Sequence, residues 1–399
     1  MAGFLVLCIL GASFSMVAQR LSSTIITAPM VFVFGGAAVS VLGGLHAETS
    51  EHYLHIVAEV ALVVLLFLDA AQIDMVALRQ RSIWPRRMLL IGLPLAIVFG
   101  TIAGSFFFPT WSIMAVALVA AILAPTDAAL GQAVVANENV PIRSRRALVV
   151  ESGLNDGLAL PVILLFAALT AATETQSSVE WVIFGAKQLI FGPLVGVAAG
   201  VLGGWILLRA KAAGSTAEAY EGVGALALAG TAYLCAVMIG GNGFIAAFTA
   251  GLAFGAVVKG ACKFVYEFTE SEGQLLTWVA FFLLGAALVP NAILHLTWPM
   301  LGLILLSLFV IRPLAIWISL SKTDAPLITK LFFGWFGPRG LATALFALLV
   351  LKQVPDALGE DILNLSINAV WISVLLHGLT AAPGARWYAR RLAQTDTTT

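Results

Sequence analysis

The sequence predicts an all-α polytopic membrane protein of about thirteen transmembrane helices, built as a 6+6 inverted repeat with two broken, crossing helices. Composition is the first reason. Of 399 residues, 60% are hydrophobic and 11% charged, and the mean hydropathy is +1.00, whereas about a quarter of an ordinary soluble domain is charged. A soluble core of this size cannot hide so much apolar surface. A cytosolic enzyme, a nucleic-acid binder and a secreted disulfide scaffold are therefore excluded. Segmentation is the second reason, because apolar runs near the roughly 20 residues that cross a bilayer alternate with charge and turn clusters. The third is the placement of the basic residues.

The runs cover roughly 2–18, 25–44, 55–73, 88–108, 112–136, 145–172, 181–209, 219–240, 243–259, 271–290, 297–320, 328–351 and 363–388. The first lacks a basic leader region and reads as a retained helix rather than a cleaved signal. Of the 21 basic residues, 17 fall in loops on one side, from Arg20 through Arg79, Arg81, Arg86 and Arg87 to Arg386, Arg390 and Arg391; only Lys352 falls on the other. Lys187, Arg312 and Arg339 lie within spans. By the positive-inside rule the N-terminus is outside and the C-terminus cytoplasmic. The absence of a targeting extension suits a bacterial inner membrane.

An odd span count divides as six, one and six. Residues 1–172 form the first six-helix repeat, 181–209 a linker helix, 219–388 the second repeat, and 389–399 a short cytoplasmic tail, all within one membrane domain. The fifth and twelfth spans are then symmetry mates, and both are interrupted, by Ala124-Pro125-Thr126-Asp127 and by Gly337-Pro338-Arg339-Gly340. Proline removes a backbone donor and glycine loosens the helix, so a membrane helix can break there. Paired breaks at matching positions point to a midplane site. In the linker, Gly192, Gly196, Gly200 and Gly204 recur every fourth residue, a face for close helix packing.

An ionisable group at bilayer depth costs about 2.5–3.5 kcal/mol on insertion scales, so each needs a partner or a task. Within the spans lie the acids Glu59, Asp69, Asp127, Glu151 and Asp156 and the bases Lys187, Arg312 and Arg339. The acids outnumber the bases, leaving carboxylates to bind protons or cations. The sixth span reads Glu151-Ser152-Gly153-Leu154-Asn155-Asp156-Gly157, which places Glu151 with Asn155 on one helix face and Ser152 with Asp156 on the next. Asp156 and the Ser152 hydroxyl are hard oxygen ligands suited to a small alkali cation. The break at Thr126-Asp127 adds freed carbonyls. Burial favours a protonated carboxylate and a bound cation the ionised form, so Asp156 can hold one or the other.

Glu151 and Arg339 are expected to form the buried pair, with Asn155 filling the remaining hydrogen-bond positions and Asp127 compensating a half-helix end. Asp69 either reaches the site or lines its entrance. Glu59 and Lys187 are expected to snorkel, and Arg312, beside Pro313, to snorkel inward or contact lipid. His46, His52 and His55 read as a solvated outer loop, and Cys8, Cys235 and Cys262 as buried or juxtamembrane thiols without metal-ligand spacing. No nucleotide-binding loop or covalent-catalytic set is found, so no cofactor, enzyme activity or nucleic-acid partner is expected.

Pro125-Thr126-Asp127, Glu151-Ser152 followed by Asn155-Asp156, and Gly337-Pro338-Arg339-Gly340 together resemble the monovalent cation:proton antiporter superfamily, in the NhaP-like sodium/proton-exchanger branch marked by an Asn-Asp pair. Asp69 with Asp74, and Gly243 through Gly255, match more weakly. The resemblance implies a homodimer with a dimerisation domain and a mobile core. It implies that Asp156 alternates between proton and cation with Ser152, Thr126 and Asp69 as supporting ligands. Glu151, Asn155 and Arg339 would be the stabilising network and Asp127 the charge at the crossing. Asn155 in place of a second aspartate resembles the electroneutral branch, one proton per cation. Ala128 stands where the family often has proline, and Gly153 where leucine is usual. The expected activity is sodium (or lithium)/proton antiport serving pH homeostasis. A potassium/proton antiporter of the same fold, an organic-anion symporter on a similar scaffold, and a channel or sensor are the alternatives.

Overall fold

The computed structural model describes residues 2–21, 24–43, 47–73, 83–135, 137, 139–175, 178–261 and 263–396. Among them all regular structure is helical. The helices are α1 (Ala2–Leu21), α2 (Ala28–Val41), α3 (Ala47–Ala71), α4 (Ile83–Phe107), α5 in two halves (Ile113–Ile122 and Ala128–Val135), α6 (Ile142–Thr175), α7 (Ser178–Ala212), α8 (Glu218–Met238) and α9 (Gly243–Val258). They continue with α10 (Lys263–Ala287, prolonged by the short helix Val289–Leu294), α11 (Trp298–Ser319), α12 in two halves (Leu327–Trp335 and Leu341–Leu351) and α13 (Asp356–Asp396). Seven described helices are long and apolar enough to cross a membrane, and α2, α5, α9, α10 and α12 contain shorter apolar helices. The chain is an integral membrane protein.

Several boundaries move from the sequence reading. α3 begins at Ala47, so His52 and His55 belong to a helix rather than to an outer loop; His46 and Asp74 lie outside the described residues. α13 runs on to Asp396, so most of the expected tail is helix, as suits Arg390, Arg391, Leu392, Ala393 and Gln394, all good helix formers. Cys8 and Cys235 are exposed on α1 and α8, not buried, and Cys262 lies outside the described residues.

α4 and α11 share a feature that the apolar pattern hides. Each contains one π turn, Met88–Gly92 and Ser307–Ile311, in which Leu93 N–H reaches Met88 O and Arg312 N–H reaches Ser307 O. The cause is sequential: Pro94 and Pro313 follow immediately, and a proline that cannot donate to the preceding turn widens it. The same device thus recurs at the same place in the fourth and eleventh helices.

Packing sorts the helices into two groups. In one, α2 crosses α10, α3 crosses α9 and α10, and α1, α7 and α8 flank them. In the other, α4, α5 and α6 pack with α11, α12 and α13. Exchanging each helix for the one seven later maps α2·α10 onto α9·α3, α4·α5 onto α11·α12, and α5·α6 onto α12·α13. Glycine allows the closest approaches. A Cβ on Gly36 of α2 would run into the Phe282 carbonyl of α10, and one on Gly285 of α10 into the Val33 carbonyl of α2. Gly251 and Gly255 of α9 lie in the same way on the Phe67 and Ala71 carbonyls of α3. The stripe Gly192, Gly196, Gly200 and Gly204 packs α7 on α9, at Ile245, Ala246, Ala250 and Val257. The first group is therefore seamed backbone to backbone.

The helix ends that carry the basic residues share one face. Arg87 donates to the Ser319 carbonyl at the end of α11. Lys211 in the last turn of α7 donates to Ala261 O (2.8 Å) and pairs with the buried Glu221 of α8 (2.7 Å). Arg143 at the start of α6 grips Asp324 with two bonds of 2.5 and 2.9 Å, stacks over Trp84, and shares Asp324 with the Trp84 indole N–H (2.8 Å).

Candidate functional site

The two interrupted helices meet at their breaks. Asp127 N–H donates to Pro338 O (2.9 Å), and the Asp127 carboxylate accepts from Leu341 N–H (2.7 Å). One residue of α5 thus satisfies a carbonyl of the α12 break and caps the first free N–H of its second half, where negative charge is favoured. Gly340 is required opposite it, since a Cβ there would overlap the Asp127 carboxylate. Arg339, 1% exposed, serves the opposite polarity. Its Nη1 donates to Pro125 O (3.3 Å) and Gly337 O (2.7 Å), and its Nη2 to Ser307 Oγ (3.4 Å). A fixed cation therefore sits where the carbonyl ends of both first halves converge.

Arg339 does not pair with Glu151, as the sequence reading expected; Arg312 does. Arg312 Nη1 and Nη2 each donate to Glu151 Oε1 at 3.2 Å, and Nη2 also to Oε2 at 3.2 Å. Both side chains are buried, at 5% and 4% exposure, so Arg312 neither snorkels nor meets lipid. The π turn of α11 sets its direction inward, and Gly337 makes room, because a Cβ there would fall on the guanidinium. Thr126 Oγ1 donates to Glu151 Oε2 (3.3 Å) and accepts from Asn155 Nδ2 (2.6 Å), which also contacts Glu151 Oε1 at 3.5 Å. Glu151 and Asn155 thus face a buried knot that ties α6 to α5 and α11.

Ser152 and Asp156 face the other way, into a cavity of about 300 Å³. Asp69 of α3 and Asp127 also line it, as do Gln72, Gln274 and Thr277. Gly153 faces Asp69: a Cβ at Gly153 would lie 3.7 Å from the Asp69 carbonyl and 3.8 Å from its Cβ, in ordinary van der Waals contact. The Thr126 side chain does not line the cavity; its hydroxyl lies 3.4 Å from Ser152 Oγ and orders it from behind. Among the described residues no Lys, Arg or His lines the cavity, and no cluster of His, Cys, Asp or Glu could cage a metal. Three carboxylates and a hydroxyl around open space suit an ion that comes and goes.

The cavity is walled by the start of α2 and α6 and the end of α3, with Val134 and Val135 of α5 and Phe336 of α12. These ends belong to the basic face, so the cavity opens there and stops at the crossing. Of the remaining charged positions, Glu59 accepts a 2.5 Å bond from Tyr233 O–H, and Lys187 is exposed on α7. Sequence reasoning missed Arg312 as the partner of Glu151, the Ser307 contact, and Gln72, Gln274 and Thr277. The prolines after both π turns were the available signal for the first two.

A family model described as "Sodium/hydrogen exchanger, transmembrane" matches residues 4–387. The chain belongs to this family. Among relatives, the K(+)/H(+) antiporter NhaP of Alkalimonas amylolytica is 30% identical over 68% of this chain and 46% of its own length. The K(+)/H(+) antiporter NhaP2 of Shewanella sp. (strain ANA-3) is 27% identical over 95% of this chain and 66% of its own. The chain therefore spans about half to two thirds of the length of these exchanger relatives. The sodium proton antiporter MjNhaP1 of Methanocaldococcus jannaschii has the same fold, with a TM-score of 0.79 at 21% identity, covering 98% of this chain and 99% of that one. The broken, crossing pair of helices thus belongs to a sodium/hydrogen-exchanger fold.

Proposed function

We propose that the protein is a secondary active antiporter that exchanges sodium or lithium for protons, one for one, with proton and cation competing for Asp156. The observation that carries the reading is the cavity floor: Asp156, Asp69, Asp127 and Ser152 converge there, and among the described residues no basic side chain lines the wall. Asp127 is engaged at the crossing and Glu151 by Arg312, while Asp156 Oδ1 is buried without a protein partner. Asp156 is then the group that exchanges proton for cation, with Ser152 and Asp69 as further oxygen ligands and Thr126 acting through Ser152. Glu151, Asn155, Arg339, Arg312 and Asp127 hold the floor in shape. An organic-anion symporter would need a positive lining, which this cavity lacks.

The α4–α6 and α11–α13 group is the mobile core in this reading, and the glycine-seamed group is the fixed scaffold of a homodimer. The exchange of helices seven apart supports an inverted repeat. The cavity opens on the basic face, taken as cytoplasmic, so this is an inward-facing state of a bacterial inner-membrane carrier. Potassium is the second reading, favoured by the names of the Alkalimonas and Shewanella relatives.

The test uses purified protein in liposomes with an internal pH dye, given sodium or potassium pulses with and without a potential clamp. Dye movement on sodium that is indifferent to the clamp supports electroneutral sodium/proton exchange. A potassium-selective signal moves the assignment to potassium. Asp156→Asn is expected to abolish exchange in protein that still folds, and ion-driven proton flux that survives it would overturn the role of Asp156.

A further inference from the structure

His377 of α13, 1% exposed, is a buried titratable side chain that stands outside this site. Its Nε2 lies 2.9 Å from Trp335 O, which can only accept, so Nε2 carries the proton. Nδ1 is then an acceptor, and Ser373 Oγ, 3.1 Å away, supplies the donor; the Ser373 carbonyl at 3.0 Å is the one neighbour this tautomer leaves unused. Ser373 Oγ in turn accepts from Arg339 N–H at 2.7 Å. A directed chain results, from Arg339 N–H through Ser373 O–H to His377 and on to Trp335 O.

Its two ends are the groups that the break in α12 sets loose. Trp335 closes the first half, and its carbonyl otherwise receives only Gly337 N–H, at 2.8 Å. Arg339 lies within the break, beyond any helical partner for its N–H. The imidazole is also stacked on the Trp335 indole, with ring centroids 4.9 Å apart, and that indole donates to Thr380 Oγ1 of α13 at 3.0 Å. Two turns of α13 therefore grip both lips of the interruption.

We propose that His377 is a positioning residue for the exchange: it fixes the opening of the α12 break, and through Arg339 and Pro338 O the placement of Asp127 at the cavity floor. The inference rests on the antiport reading, so its test has one arm that needs no transport. His377→Leu is expected to raise the apparent KM for the transported cation about three- to ten-fold, the worth of one buried hydrogen bond, with the maximal rate nearly unchanged. His377→Gln presents an acceptor and a donor on one planar group and is expected to restore wild-type KM. Ser373→Ala, which cuts the chain without removing bulk, is expected to match His377→Leu and keeps the test decisive if the leucine variant folds poorly.

The independent arm is hydrogen exchange of peptides covering residues 336–341. It is expected to speed up in His377→Leu and Ser373→Ala and to stay slow in His377→Gln. Unchanged exchange in that segment, an unchanged KM in both His377→Leu and Ser373→Ala, or a glutamine variant as impaired as the leucine one would overturn the proposal. A wild type that transports neither cation would refute the antiport reading alone, and the exchange arm would still decide how the break is held.

Discussion

Replacing Arg312 by methionine strands Glu151 in the core. The Glu151 side chain is 4% exposed and would keep only the Thr126 hydroxyl at 3.3 Å and the Asn155 amide at 3.5 Å once the three guanidinium bonds are gone. Removing one partner of a buried ion pair costs about 3–5 kcal/mol, since the survivor is uncompensated, whereas removing both can be nearly neutral. At about 2 °C per kcal/mol, the scale for large chains, the melting temperature in detergent should fall by roughly 5–10 °C. The double variant Glu151→Gln/Arg312→Met should recover most of that loss. Glu151→Gln with Arg339→Met should recover far less, because the hydrogen bonds of Arg339 go to carbonyls and Ser307. A melt of Arg312→Met within about 1 °C of wild type, or a double variant no more stable than Arg312→Met alone, would refute the pairing.

Further outcomes follow from the same contacts. Gly337→Ala puts a methyl where the Arg312 guanidinium lies and should lower the melt about as far as Arg312→Met does; full stability would show that the guanidinium can move. Gly340→Ala displaces the Asp127 carboxylate from Leu341 N–H and should abolish cation-driven proton flux in liposomes while the protein stays folded. Asn368→Leu removes the 2.6 Å bond from its amide to Ala292 O, which joins α13 to the end of α10; a loss of about 1 kcal/mol is expected in a thermal melt. Asp324, outside the spans, is held below the ordinary aspartate range by its hydrogen bond from Arg143. A lowered folded value means a contribution present above the ordinary range and lost as pH falls through the lowered value. Asp324→Asn should therefore leave the pH profile of exchange unchanged at every pH above the aspartate range, and a shifted profile there would contradict a purely structural role.

Apolar runs made the helices legible, and proline and glycine clusters their breaks, because lipid leaves the backbone few alternatives. Placing Ser152 with Asp156 and Glu151 with Asn155 required only the i, i+4 rule, and these pairs do diverge, one to the cavity and one to the knot. Partner choice was harder. Glu151 could be matched with Arg312 or Arg339 on charge alone, and the decision depended on two facts that sequence shows only obliquely. A proline-driven π turn rotates Arg312 inward, and converging carbonyl ends already claim Arg339. The grip of His377 on α12 was equally hidden, since a lone histidine in an apolar helix carries no spacing signal. Asp127 was read as compensating a half-helix end; that the end belongs to α12 follows only from the crossing.

At and beyond that crossing the wall is oily: nearly every side chain of Leu341–Leu351 in α12 and of Ala115–Ile122 in α5 is buried and apolar, Thr343 apart. A bare carboxylate moved against such a wall would lose its water and find no replacement, a penalty of several kcal/mol for one ion. On the antiport reading proposed above, an unloaded Asp156 is therefore held at the open side until a proton or a metal ion cancels its charge. In an antiporter this is an interlock: the empty carrier idles, and neither gradient drains through it unaccompanied.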